Sequence, residues 1–218
     1  MRGNLLNILE SATTKLGNKI ELIGECGEEN ILIVGVFHGD EPQGKYLIEK
    51  YIKDGVKNSN LLFIPCLNPD GLAKNVRVNA NGVDLNRNFP TKNFGQDGSK
   101  AGNNPENYYG GQTPASEIET KFMINVIEKY KPRFILSLHA PYKVVNYDGP
   151  AQDIAQKISE IIGYPVEPSI GYPTPGSFGT YCGVERNIPI ITLELDEECP
   201  IKDLEEPIFK IFDMLSTC

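Results

Sequence analysis

The chain has 218 residues, a net charge of −8, a hydrophobic share of 40% and a charged share of 23%. That size and composition suit a single globular domain over residues 1–218 and exclude wholesale disorder. No apolar run approaches about 18 residues, so no membrane span is expected, and an acidic chain without a Lys/Arg cluster lacks the footprint of a nucleic-acid binder.

The first ten residues, where Asn7 breaks up Leu5, Leu6, Ile8 and Leu9, are too short and polar for a secretory h-region. The five cysteines (Cys26, Cys66, Cys182, Cys199, Cys218) are scattered and include no C-x-x-C pair. That pattern argues against a disulfide framework or thiolate zinc site and for a reducing, cytoplasmic setting. Residues 31–37 are apolar at nearly every position and predict a strand covered on both faces, running directly into His38. A helix is expected over 42–53, with Tyr46, Leu47, Lys50 and Tyr51 at helical spacing, then a second buried strand over 61–66. Residues 68–114 carry many Asn, Gly and Pro and little apolar periodicity; a loop that long inside one domain is usually functional. Ser116 and Glu119 form a capping-box pattern that predicts a helix over 116–130, with Ile118, Phe122, Val126 and Lys129 on one stripe. A strand over 134–138 leads into His139, a helix follows over 151–162, a strand over 188–195 carries Glu194, and a last helix covers 204–215. Alternating strands and helices predict an α/β layer fold with a parallel or mixed sheet.

The chain holds only two histidines, and both His38 and His139 stand at the carboxyl ends of expected strands, where α/β sheets gather their ligands. Glu41 follows His38 at the strand-to-helix corner, and two His with one Glu is a known catalytic zinc set that leaves a place for water. In the 79–90 cluster, Arg77, Asn86 and Arg87 offer donors suited to a carboxylate, and Asp84 could fix the tautomer of a ligating imidazole. Glu194, a carboxylate at the end of an apolar strand, suits a general base. A polar turn at 81–82 and an acidic strand exit at 194–198 remain open as purely structural readings of the same residues.

Taken in order, H-x-x-E (His38, Glu41), N-P-D-G (68–71), G-V-D-L-N-R-N-F (82–89), Ser-Leu-His139 and Thr-Leu-Glu194-Leu resemble the zinc carboxypeptidase family, the carboxypeptidase A-like metallopeptidases. The resemblance implies a three-layer domain with a mixed, mostly parallel eight-stranded sheet, helices on both faces and one zinc ion per chain. It makes His38, Glu41 and His139 the zinc ligands and Glu194 the base and later proton donor. Arg77 would polarise the scissile carbonyl, Asn86 and Arg87 would hold the α-carboxylate of the leaving residue, and Asp84 would orient His38. Tyr172 and Ser177, in the 171–181 segment, would contact substrate. That segment, with 79–90 and the helix start at 116, is similar to a bacterial branch that cleaves the γ-D-glutamyl–meso-diaminopimelate bond of cell-wall peptides. The partner expected is therefore a small peptide, with no nucleic acid and no membrane; the sequence is silent on oligomeric state. In the digestive enzymes the position two after the first histidine is arginine, whereas here it is Asp40, and Phe178 falls in the specificity-loop region with no obvious trap for a basic side chain. A general metallocarboxypeptidase, an aspartoacylase-like deacylase and a catalytically idle peptide-binding module stand as alternatives.

Overall fold

Strand β3, Ile31–Gly35, is buried along its whole length, as are β4, Leu61–Ile64, and β5, Phe134–His139. The computed structural model describes residues 6–25, 27, 29–56, 60–96, 108–168 and 174–217. Around that centre lie β1, Asn7–Thr13, β2, Lys19–Gly24, β6, Val144–Asp148, β7, Val166–Glu167, and β8, Ile190–Glu194. They make one eight-stranded sheet in the order β1-β2-β4-β3-β5-β8-β6-β7. The β3–β4, β3–β5, β5–β8 and β6–β7 pairs are parallel, while β1–β2, β2–β4 and β6–β8 are antiparallel. The mixed, mostly parallel sheet expected from the sequence is therefore present.

The two-residue side-chain period sorts each central strand between two cores. Ile31, Ile33, Phe63, Leu136 and Leu193 face one side, with residues of helices α1, Gln43–Gly55, α4, Gln152–Ile162, and α5, Glu205–Thr217. Leu32, Val34, Leu62, Ile135 and Ile190 face the other, against Phe122, Met123 and Val126 of helix α3, Ile118–Tyr130. Burial on both faces explains the near-continuous apolar runs of the central strands. Fully burying one such side chain is worth about 1.5–3 kcal/mol, so the carboxyl ends of β3, β5 and β8 stand on a rigid frame.

The capping box at Ser116 does not form. Helix α3 begins two residues later with Glu117 at its N-cap and no side-chain cap bond. The Ser116 hydroxyl instead accepts from Asn88 Nδ2 (3.0 Å) and donates to Glu117 (2.6 Å), and Ile118 lies on the solvent side of the stripe predicted to be apolar. Asn79 joins both Glu117 and Glu119 at 2.8 and 3.2 Å, so tertiary partners take over the groups the box would have used. The long 68–114 stretch contains a short helix α2, Pro69–Lys74, and a 3-10 turn, Leu85–Arg87. Among the described residues no helix is long and apolar enough to cross a membrane.

Candidate active site

Chain leaves β3 through Val36, whose φ of 54° is a left-handed value that a β-branched residue adopts only under constraint. Backbone bonds from Leu67 N–H to Gly35 and from Asn68 N–H to Val36, at 3.1 and 2.9 Å, hold the bend. Asn68 also caps α2 by accepting from Gly71 N–H at 2.9 Å, and its amide group donates to the carbonyls of Phe37 and Arg77. Gly39 crosses Gly71 so tightly that a Cβ on Gly39 would lie 2.0 Å from the Gly71 carbonyl carbon. Next to it, Asp70 accepts from Thr14, Asn18 and the Leu16 N–H. The N-P-D-G segment is thus the brace behind the turn that carries His38 and Glu41.

At that turn Glu41 reaches back to His38, with Oε1 2.7 Å from Nδ1, and its other oxygen lies 3.1 Å from His139 Nδ1. The two Nδ1 atoms are 3.3 Å apart. One donor atom from each of the three residues falls within 4.8 Å of the others, all buried. Asp84, fully buried, approaches His38 Nε2 at 3.2 Å and accepts from Arg77 Nε at 3.1 Å and from the Asn86 N–H at 2.8 Å. Arg77 also points NH1 at Glu41, at 3.5 Å.

Electrostatics follows from this crowding. Burial opposes ionisation of Glu41 and Asp84, yet the two histidines beside Glu41, and Arg77 and His38 beside Asp84, hold both carboxyls well below the usual range. Burial would lower His38, but Glu41, aided by Asp84, outweighs it and raises the imidazole to about 9. His139 is held below an ordinary histidine by burial. Arg77 resists burial and keeps its charge beside Asp84 and Glu41. Glu41 is thus ionised beside the two imidazoles, and one donor atom of each of the three residues converges on the others. The donor set, two nitrogens and a carboxylate with a hydrogen-bonded imidazole behind one of them, fits a zinc ion.

Glu194 ends β8 beside His139, its register partner across the β5–β8 ladder. It is 5% exposed, and its Oε2 meets no hydrogen-bond partner among the described residues. Burial, with the Glu41 charge nearby, pushes its carboxyl up to about 8.

These groups open on a cavity of about 490 Å³ lined also by Asp40, Asn86, Arg87, Tyr142, Ser177 and Thr192. Asn86 accepts from the Phe178 N–H at 2.8 Å, and Arg87 donates to the Asn86 carbonyl at 2.7 Å. Ser177 lines the cavity, but its hydroxyl is engaged with Thr180. Phe178 is not a pocket residue: it is 2% exposed and packs on Phe37 and Phe89 at 5.2 and 5.0 Å. Tyr172 lies outside the described residues.

Sequence reading missed the far wall. Along β6, Asn146 and Asp148 share the face that looks into the cavity, with Thr192 opposite Asn146 on β8. Burial raises the Asp148 carboxyl, and no hydrogen bond or ion pair meets it among the described residues. A Cβ on Gly179 would lie 2.1 Å from Asp148 Oδ2, so only glycine there leaves the carboxylate its place. The sole signal was polar alternation at 146 and 148 in an otherwise apolar strand.

A model of the zinc carboxypeptidase family matches residues 8–153. Murein peptide amidase A of Escherichia coli is 30% identical over 199 residues, covering 87% of this chain and 81% of that protein. Its namesake in Vibrio campbellii is 38% identical over 188 residues, covering 78% and 71%. Among solved structures, the murein-tripeptide amidase from Escherichia coli superposes with a TM-score of 0.80 at 27% identity, covering 94% of this chain and 89% of that one. A carboxypeptidase A from Helicoverpa armigera, 16% identical with a TM-score of 0.77 over 97% and 67% of the two chains, shares the fold. The protein belongs to the zinc carboxypeptidase family and is a metallopeptidase.

Proposed function

We propose that the protein hydrolyses the amide bond preceding a C-terminal diamino acid in a short cell-wall peptide, the γ-D-glutamyl–meso-diaminopimelate bond. Likeness to murein peptide amidases over most of the chain supports this reading. The observation that carries it is the Asp148 carboxylate, without a hydrogen-bond or ion-pair partner among the described residues, in the polar wall of the same cavity as the histidine cluster. An apolar C-terminal side chain would leave that carboxylate desolvated and unpaired, at a cost, whereas the ammonium at the far end of diaminopimelate would pair with it.

In this reading His38, His139 and Glu41 would hold one zinc ion, which would supply Lewis-acid polarisation and lower the pKa of a water. Asp84 accepts from His38 Nε2–H and so turns the Nδ1 lone pair toward the cluster. Glu194, made a stronger base than an ordinary carboxylate by burial, accepts the proton lost by the attacking water. It then delivers that proton to the departing nitrogen as the C–N bond breaks. Arg77 donates to the carbonyl oxygen as charge builds on it. Arg87 and Asn86 hold the α-carboxylate of the leaving residue, which makes the enzyme act at chain ends. A reducing, cytoplasmic setting belongs to the same reading and suits the free thiols of Cys66, Cys182 and Cys199.

Mass spectrometry of products from L-Ala-γ-D-Glu-meso-diaminopimelate tests the reading. Free diaminopimelate with L-Ala-D-Glu is expected. An intact tripeptide alongside rapid cleavage of α-linked peptides ending in lysine would replace it with a general basic carboxypeptidase, which Asp148 would equally serve.

A further inference from the structure

Two guanidinium groups face this cavity, and one aromatic ring touches both. The Arg77 Cζ lies 5.1 Å and the Arg87 Cζ 5.7 Å from the centre of the Tyr108 ring. Like charges gathered at one ring repel; Asp84 and Glu41 hydrogen-bond Arg77, while Arg87 feels the Asp84 charge without a hydrogen bond to it among the described residues. Arg87 is 2% exposed and donates to the Asn86 carbonyl. An aromatic ring attracts cations through its quadrupole, most strongly where water is excluded. The ring's own position is fixed by its neighbours. Asp84 N–H donates to the Tyr109 carbonyl and Asn88 Nδ2 to the Gly110 carbonyl, both at 2.8 Å, and a Cβ on Gly110 would lie 2.5 Å from the Arg87 carbonyl oxygen. Segment 108–111 is therefore clamped onto the same 84–88 turn that carries Arg87.

We propose that Tyr108 is a positioning residue that sets the spacing between Arg77 and Arg87, and hence between the carbonyl to be cleaved and the terminal carboxylate. The proposal rests on the roles given to those arginines above, and it requires the ring rather than the hydroxyl. Tyr108→Phe is expected to stay within about twofold of wild type, while Tyr108→Leu lowers kcat/KM about 5- to 30-fold, the range of one or two cation–ring contacts. The loss should divide between a fall in kcat, from Arg77, and a rise in KM, from Arg87. The preference for a free over an amidated C-terminus should narrow in Tyr108→Leu alone. Zinc content of each purified variant reports that the site is intact.

A Leu variant equal to the Phe variant, or a Phe variant as damaged as Leu, overturns the proposal. Should Tyr108→Leu fail to retain zinc, Tyr108→Trp decides. The chain has no tryptophan, so its fluorescence reports on this position alone. It should respond to added meso-diaminopimelate with Arg87 present and not in an Arg87→Ala background; a response that survives Arg87→Ala overturns the proposal. These comparisons are read on whichever peptide the enzyme cleaves, so a wrong substrate assignment shows up separately, as an intact murein tripeptide.

Discussion

At one end of the cavity His38, Glu41, Asp84, Arg77 and His139 bind one another through a continuous set of contacts between 2.7 and 3.5 Å. At the other, Asp148 stands in the wall with no such partner among the described residues. The difference separates chemistry from selection. The first end is arranged before any substrate arrives, so little reorganisation is needed when charge develops. The second is left incomplete among the described residues, and a partly buried carboxylate without a partner favours whichever ligand completes it.

If that division holds, the largest losses come from the first end. Glu194→Gln should keep its zinc, measured by metal analysis, and lose about a hundred- to ten-thousand-fold in kcat, the span of general acid–base catalysis. Full activity in this variant would remove Glu194 from the proton path. Arg77→Ala should cost about a hundred- to a thousand-fold, chiefly in kcat, as expected for a lost oxyanion donor. A rise confined to KM would instead make it a substrate-binding residue and blur the division.

A smaller effect than these two should fall at the second end, and on selectivity. Asp148→Asn should lower kcat/KM about 10- to 100-fold for peptides ending in diaminopimelate or lysine, the scale of one charged hydrogen bond. Peptides ending in norleucine should gain or stay level. The discrimination should also fade on acidification: burial raises the Asp148 carboxyl, so it takes up its proton at a higher pH than an ordinary aspartate and loses its hold on the ammonium there. Selectivity that survives both the substitution and the lower pH would move the cation's partner elsewhere.

How much of this was legible depended on whether a feature was local. Strands β3, β4, β5 and β8 were readable because burial on both faces leaves an unbroken apolar run, and the two histidines stood out by their place at strand ends. The H-x-x-E corner was legible for the same reason, since three residues of separation already bring both side chains to one turn. Strand β1 was not, because its half-exposed residues mix Asn, Glu, Ser and Thr with few apolar ones. Strand β7, two residues long, carries no pattern at all. Ser116 shows the limit of a local rule: its cap pattern was sound, but Asn88, distant in sequence, claimed the hydroxyl first. Asp148 needed the fold, for only the sheet register brings β6 beside β8 and turns its carboxylate toward the same space as Glu194.

The near-contact of Gly39 with Gly71 has a practical consequence for anyone wishing to graft this hydrolytic corner onto another protein. The four residues from His38 to Glu41 are not a portable unit, since their curvature is moulded on a second stretch of backbone, Gly71 lying 32 positions after Gly39. A transplant would have to carry both pieces and keep hydrogen as the sole substituent at Gly39, where the second piece lies against it.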